Sequence, residues 1–446
     1  MDSATSKFRK IQEVTEFMNI IERGKGFVQH LFELANRSAW DWRRCPRCGS
    51  TDTAKNGGRR VHPWTLEGRK DVRIQRHWCY RCKHSYSEES PILVRGSWYA
   101  REVHRFAVDH WQHGGSSLRR TAEFVRSLLG KQERWQIWRL FSKEPEDSKK
   151  CHLSQATVQR WLDKAGIEAR KSVPDQLAGV ESSGQVATDG LWARLLGGKK
   201  KVVLALVDRV TGVIFPPVVV NEEDNERSWG RMFRRARLSG LEMDCLRGVA
   251  SDGAKGLIGY LGRVLSWVNH QRCVFHIWRN LSGELASRVN EAATGLTGAA
   301  AKAVKEKVRA ELVSLVRGVV DAGNYMEAEA ALAKLKAHQL GGKLASILEE
   351  HLDAAMVYLL EYNRGLSRVS PEWYWRDFRL RLSRGRNHRS DERLERAALV
   401  WAIYRNFTPS QRRSERKRHY RHPGMSPLAV AGAPPGEISY LDALAV

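Results

Sequence analysis

Four cysteines are spaced for metal chemistry. Cys45-Pro46-Arg47-Cys48 and Cys79-Tyr80-Arg81-Cys82 are two C-x2-C pairs with residues 49–78 between them. Each pair offers two thiolates from one tight turn, and four thiolates close a tetrahedral Zn²⁺ site. A closed site has no position for water, so the expected zinc is a single structural ion. The chain has seven cysteines, and Cys151, Cys245 and Cys273 are scattered. An odd total with four at this spacing argues for metal in a reducing compartment rather than for disulfides. His62, His77 and His84 lie close by and read as surface or packing histidines. Arg59, Arg60, Arg69, Lys70, Arg73, Arg76, Trp78 and Tyr80 surround the pairs. Such a surface is either a DNA-contacting face or a solvated basic one.

A second chemistry is suggested by two aspartates. Asp189 lies in Ala187-Thr188-Asp189-Gly190 and Asp252 in Ala250-Ser251-Asp252-Gly253. Taken singly, each is an ordinary turn aspartate before glycine. Both are expected at strand ends, and two-metal cleavage of phosphodiesters needs carboxylates clustered on rigid elements. Asp252 is followed by Gly256-Leu257 and then by Cys273-Val274-Phe275-His276 and Arg279-Asn280.

In these segments the chain resembles the Mutator-like DDE transposases and their bacterial insertion-sequence relatives. The resemblance runs over residues 185–280 and 365–440, including His422-Pro423-Gly424-Met425-Ser426-Pro427. It implies an RNase H-like catalytic domain with a helical insertion before the last acid. It also implies that Asp189 and Asp252 are two members of a catalytic triad holding two Mg²⁺ (or Mn²⁺) ions. The third acid then heads the helix after the insertion. Ser370-Pro371-Glu372 suits that place, with serine as N-cap and proline at the first position. Asp377 and Glu361 are the next choices. Glu372, Arg376 and Arg379 share one helical stripe, and Trp375, Phe378 and Leu382 share the adjacent one, suited to burial on a sheet. Arg376, Arg379 and Arg381 are candidate phosphate contacts. Cys273 and His276 are candidate accessory residues, shaping local structure or touching DNA; a buried cysteine and a packing histidine fit equally well. Asp208 and Glu222-Glu223-Asp224 read as turn and helix-start residues.

These groups need elements to position them. Residues 1–40 read as a helical lead-in, 41–90 as the ribbon with a turn at Asn56-Gly57-Gly58, and 97–170 as helical. Ser154 is a good N-cap for a helix carrying Gln159 and Arg160. That helix is either the recognition helix of a helix-turn-helix or half of an ordinary amphipathic pair. Lys171–Asp175, with Pro174, reads as a linker. Strand-rich runs at Gln185–Thr188, Lys201–Val207 and Val213–Val220 are followed by a helix at 226–240. A strand at Leu246–Ser251, a helix at 254–268 and a strand at Gln271–Phe275 complete the series. The order β-β-β-α-β-α-β is a mixed α/β sheet that opens with hairpins. The catalytic domain is thus expected over 183–280 and 366–408, split by a helical insertion at 281–365. A basic, then Pro/Gly-rich tail covers 409–446.

Lysine and arginine number 75 against 50 acids in 446 residues, a net charge of +25. A polyanion is the default partner. No long apolar run, signal peptide or lipidation motif points to a membrane. The expected partners are therefore DNA, as element ends and target, and further copies of the chain in a homodimer or larger assembly. The expected location is the cytoplasm at the nucleoid, or the nucleus in a eukaryote. Two other classes stay open. One is a catalytically inactive, transposase-derived DNA-binding regulator, which would have a broken acid set. The other is a zinc-ribbon regulator of transcription, which would not need acids at strand ends.

Overall fold

The structure is a computed structural model. It describes residues 43–114, 116–134, 152–360, 372–384, 388–409, 424–433 and 439–444. The helical lead-in, Cys151, Glu361, Ser370-Pro371 and the basic stretch at 410–423 lie outside the described residues, as do the side chains of Glu372 and Asp377. The chain divides into two compact units, one reaching Trp161 and one beginning at Leu162.

The first unit opens with β1 (Thr53–Val61), β2 (Trp64–Thr65), β3 (Gly68–Arg69), β4 (Val72–Cys79) and β5 (His84–Ser87). β4 pairs antiparallel with β1 and β5. Asn56-Gly57-Gly58 is not the hairpin turn. It lies inside β1, where the register slips between Lys55 and Gly58 and Gly57 takes φ +66. A glycine in that conformation absorbs the extra residue of a β-bulge. The chain reverses instead through the short β2–β3 hairpin. Next come α1 (Arg101–Gly114) and α2 (Leu118–Arg134). They bury Val103, Ala107, Val108 and Trp111 with Ala122, Val125 and Leu129. Ser154 caps α3 (Gln155–Leu177), its Oγ accepting from Thr157 N at 3.2 Å. Trp161 stacks on His104 with ring centroids 3.9 Å apart.

α3 runs straight through the expected linker with Pro174 inside it. Proline removes one helical hydrogen bond. Ala165, Ala169, Val173 and Leu177, one turn apart, are all buried, and packing of that stripe carries the helix past the proline.

The second unit is built on β6 (Gln185–Arg194), β7 (Lys200–Asp208), β8 (Val218–Val220), β9 (Gly248–Ser251) and β10 (Asn269–Arg272). The sheet order is β10-β9-β6-β7-β8. β6, β7 and β8 are antiparallel neighbours, whereas β9 lies parallel to β6 and β10 parallel to β9. β8 is shorter than the apolar run suggests, because Pro216 and Pro217 cannot donate to a ladder. Ile214 keeps only an isolated bridge to Val207.

α4 (Glu226–Leu238) and α5 (Lys255–Val264) connect these strands, with Phe233 stacked on Tyr260. Then α6 (Val274–Ala292), α7 (Gly298–Val320), α8 (Tyr325–Ala337) and α9 (Gly342–Ala355) follow, and they supply the helical insertion expected there. Leu281, Leu285, Leu312, Val316, Leu332, Leu335, Leu344 and Leu348 give them a core of their own. Finally α10 (Glu372–Arg384) and α11 (Asp391–Phe407) lay Trp375, Phe378, Leu394, Ala398 and Trp401 on the sheet face that carries Leu191, Ala193, Val203 and Ala205. Short helices at Pro427–Val430 and Tyr440–Ala443 complete the described chain. Among the described residues no helix is long and apolar enough to cross a membrane.

Candidate metal centres

Strand register brings the aspartates together. β6 and β9 pair in parallel at Gln185–Gly248, Val186–Val249 and Ala187–Ala250. Two residues further on, in the same register, stand Asp189 and Asp252. The β6–β9 ladder has ended by then, at Ala187 and Ala250, and β9 itself ends at Ser251. Asp252 sits in the turn after β9, its Oδ1 accepting from Ala254 N at 3.1 Å. Asp189 is not at a strand end, because β6 continues to Arg194 and pairs Asp189 with Ala205 of β7. Its carboxylate is buried, and Oδ1 accepts from Gly190 N at 2.9 Å.

The third donor comes from α6. Cys273 occupies its N-cap position, with Cys273 N bonded to Ser251 O at 2.7 Å. His276 falls in the first turn and is buried. One ligand atom each from Asp189, Asp252 and His276 lie within 4.8 Å of one another. Two carboxylates and an imidazole at that spacing suit a divalent cation. Cys273 is buried and outside this group. Of the two accessory candidates, the geometry thus draws in His276.

The turn beneath Asp252 is well braced. Ser251 Oγ lies 2.8 Å from His270 Nε2 and accepts from Gly253 N at 3.0 Å. Burial, with the Arg272 charge adding to it, lowers the His270 pKa to about 4. Gly253 takes φ +80, and a Cβ there would overlap the Arg272 guanidinium. The two Asp-Gly pairs therefore use glycine differently. Gly253 serves a turn, whereas Gly190 has ordinary strand φ and is crossed by Glu223, whose Oε2 would lie 2.1 Å from a Cβ at that position.

Glu372 is the first residue of α10, which packs on the sheet face shared by Leu191 and Ala193. Alternation along β6 puts Asp189 on that same face. Arg376 and Arg379 are exposed on α10. Arg381 is buried, its guanidinium carbon 5.6 Å from the Tyr404 ring centroid. Three residues after Phe378 and one before Leu382, it falls on the core side of the helix and is not a surface phosphate contact. On α3, Arg160 is exposed and donates to Thr157 Oγ1 at 3.1 Å, while Gln159 is half-buried. Asp208 is a turn residue, accepting from Ser183 N at 2.7 Å and from Thr211 N at 2.9 Å.

The cysteine pairs converge in the first unit. Cys45 Sγ lies 3.6 Å from Cys82 Sγ, and Cys48 Sγ lies 3.6 Å from Cys79 Sγ. All four thiols lie within 4.8 Å of one another. A tetrahedron with Zn–S bonds of about 2.3 Å has edges of roughly 3.8 Å, so the spacing fits zinc. Each knuckle turns through one left-handed residue, Gly49 at φ +69 and Lys83 at φ +52. Burial opposes ionisation of Cys45, yet the backbone amides of Arg47 and Cys48 and the neighbouring thiols bring its pKa to about 7. Burial and the same neighbours push Cys82 up to about 12.

A five-stranded mixed sheet with two aspartates and a histidine gathered near the end of the β6–β9 ladder does not by itself name a family. The comparison with known families is more specific. Residues 216–369 match the family model described as Transposase, Mutator family, which bears out the resemblance seen in the sequence. The matched span contains Asp252, Cys273, His276 and the helical insertion; Asp189 and Glu372 lie on either side of it. Comparison with curated proteins finds no match.

Proposed function

We propose that this chain is a DDE-type DNA transposase that binds the ends of its element, cuts them and joins them to target DNA. The observation that carries the reading is the meeting of Asp189, Asp252 and His276 within 4.8 Å near the end of the β6–β9 ladder. The sheet order, with β6 central, β7 antiparallel to it and β8 antiparallel to β7 on one side, and parallel β9 and β10 on the other, supports an RNase H-like catalytic domain.

In this proposal Asp189, Asp252 and His276 hold one Mg²⁺ or Mn²⁺ ion, and Glu372 completes a second site from the head of α10. Bound divalent ions would lower the charge barrier to attack on a phosphodiester and orient the attacking and leaving oxygens. The chain's own residues do the rest. β6 fixes Asp189 within a strand, and the Ser251–His270 pair braces the turn after β9 that aims Asp252. Arg376 and Arg379 are exposed along α10 to meet phosphates. The four cysteines hold one Zn²⁺ that shapes a DNA-contacting ribbon. Two element ends must be brought together, so the active form is a homodimer or larger assembly on DNA.

The test is cleavage of duplexes carrying the DNA that flanks the gene, with Mg²⁺ or Mn²⁺. Wild type should nick them and Asp189→Asn or Asp252→Asn should lose about 10²- to 10³-fold in rate, the scale of losing one preorganised electrostatic group. Binding of the same duplexes without cleavage by the wild type would leave a DNA-binding regulator as the function.

A further inference from the structure

Glu223 lies in the turn between β8 and α4. The helix start is already served without it, since Asn225 Oδ1 accepts from Arg227 N at 2.8 Å and Glu226 is the acid of the first turn. Glu223 is nonetheless pinned from several directions. Trp229 Nε1 donates to its carbonyl at 2.6 Å. Gly256, on the helix that follows Asp252, presses its bare Cα onto the same backbone; a Cβ there would stand 2.6 Å from Glu223 O. The side chain is fixed as well. Oε1 accepts from Trp192 Nε1 at 3.0 Å. Oε2 lies over Gly190, the residue that follows Asp189 along β6, in space that any side chain would fill.

Burial raises the Glu223 pKa, the Trp192 indole opposes this, and the charge of Asp252 raises it again; Arg279, one turn beyond His276 on α6, pulls it down. Glu223 therefore senses both the Asp252 loop and the His276 helix. It is not a member of the group whose ligand atoms all lie within 4.8 Å. Mg²⁺ and ions like it keep several waters when bound, and those waters need outer acceptors.

We propose that Glu223 is a fourth acid of this centre, a positioning residue whose Oε2 accepts from a water held by the divalent ion while Asp189, Asp252 and His276 ligate directly. The inference rests on the proposed metal centre and adds to it a residue from a separate segment of chain. Gly190 and Gly256 then have a shared purpose, since each gives up a side chain to let Glu223 approach.

The test is Mn²⁺ binding to the full, zinc-loaded chain without DNA, followed by the paramagnetic signal of free Mn²⁺. Glu223→Gln should weaken binding about 10- to 100-fold, the range for loss of an outer partner, and Trp192→Phe, which keeps the carboxylate, no more than about threefold. Glu223→Asp should fall between Glu223→Gln and wild type. Wild-type affinity in Glu223→Gln would overturn the proposal. So would equal losses in Glu223→Gln and Trp192→Phe accompanied by equal falls in metal-free melting temperature, which would make Glu223 a prop for the indole. Asp252→Ala that takes up Mn²⁺ normally would remove the proposed centre itself, a different failure from that of Glu223 alone.

Discussion

Replacing Gly190 with alanine adds one methyl group between Asp189 and Leu191. That methyl would stand 2.1 Å from Glu223 Oε2 and 3.0 Å from Val202 Cγ1. Ordinary contact begins near 3.4 Å, so the carboxylate must retreat by about 1.3 Å and Val202 by a few tenths. Overpacking costs about 1–3 kcal/mol. The low end applies here, because the main obstacle is the tip of a side chain that can rotate away. Such a retreat breaks the 3.0 Å bond from Trp192 and removes the acid from the Asp252 loop. The expected result is a fold stable to within about 1 kcal/mol of wild type and Mn²⁺ binding weakened about tenfold or more. DNA cleavage should drop up to about 10²-fold, as for a misplacement of about 1 Å. Urea unfolding, Mn²⁺ titration and cleavage rates read the three quantities. Gly190→Ala/Glu223→Gln should lose little beyond the worse single variant, because both changes withdraw the same group. Wild-type Mn²⁺ affinity in Gly190→Ala, or losses that simply add in the double variant, would refute the reasoning.

Removing the zinc should unfold the ribbon, because its buried cluster consists of Cys45, Cys79 and Tyr86 with Cys48 and Cys82 against them and has little apolar mass without metal. Metal analysis of Cys79→Ser should show zinc falling from one per chain to none, and cobalt-substituted wild type should show thiolate charge-transfer bands that the variant lacks. Stability should decline on acidification. Burial, with the Arg393 charge adding to it, holds the His388 pKa at about 4 against an ordinary 6.5. The folded state thus binds fewer protons than the unfolded one between those values, so this contribution is complete above pH 6.5 and lost as the pH falls to about 4. The loss from this group is at most about 3 kcal/mol, and urea midpoints of His388→Gln should fall less steeply over that window than those of wild type, the remaining decline coming from His270, whose pKa is also about 4. Trp401→Ala should cost about 3–5 kcal/mol, since the ring is fully buried and stacked 5.4 Å from Trp375; a melting temperature near wild type would contradict that packing.

Much of the second unit was legible because strand and helix periods there are strong. The series from Gln185 to Arg272 has the expected order, and helices fill the stretch where the insertion was expected. The misreadings share a physical cause, namely that local signals were read without their tertiary partners. Asn56-Gly57-Gly58 carries turn chemistry but is stretched along β4 as a bulge. Pro174 is a helix breaker that a buried stripe overrides. Asp189 before Gly190 looks like a strand end, yet the glycine answers to Glu223, 33 positions away in sequence and brought there by the β8–α4 turn. The signal for His276 is its place three residues after Cys273, the N-cap that follows β10, which puts it in the first turn of α6 beside the end of the neighbouring parallel strand β9. Arg381 belonged to an arginine-rich run, but its angle on α10 turns it inward.

α6 joins two neighbourhoods in one rod. His276 sits in its first turn, and Leu281, Leu285 and Val289 further along belong to the core of the inserted helices. From His276 to the end at Ala292 the rod spans about 24 Å at 1.5 Å per residue. A tilt of about 5° about its metal end would carry the far end through about 2 Å. The insertion is thus a lever arm with the imidazole at its fulcrum, and in the proposed centre whatever grips or pushes those helices would bear directly on a metal ligand.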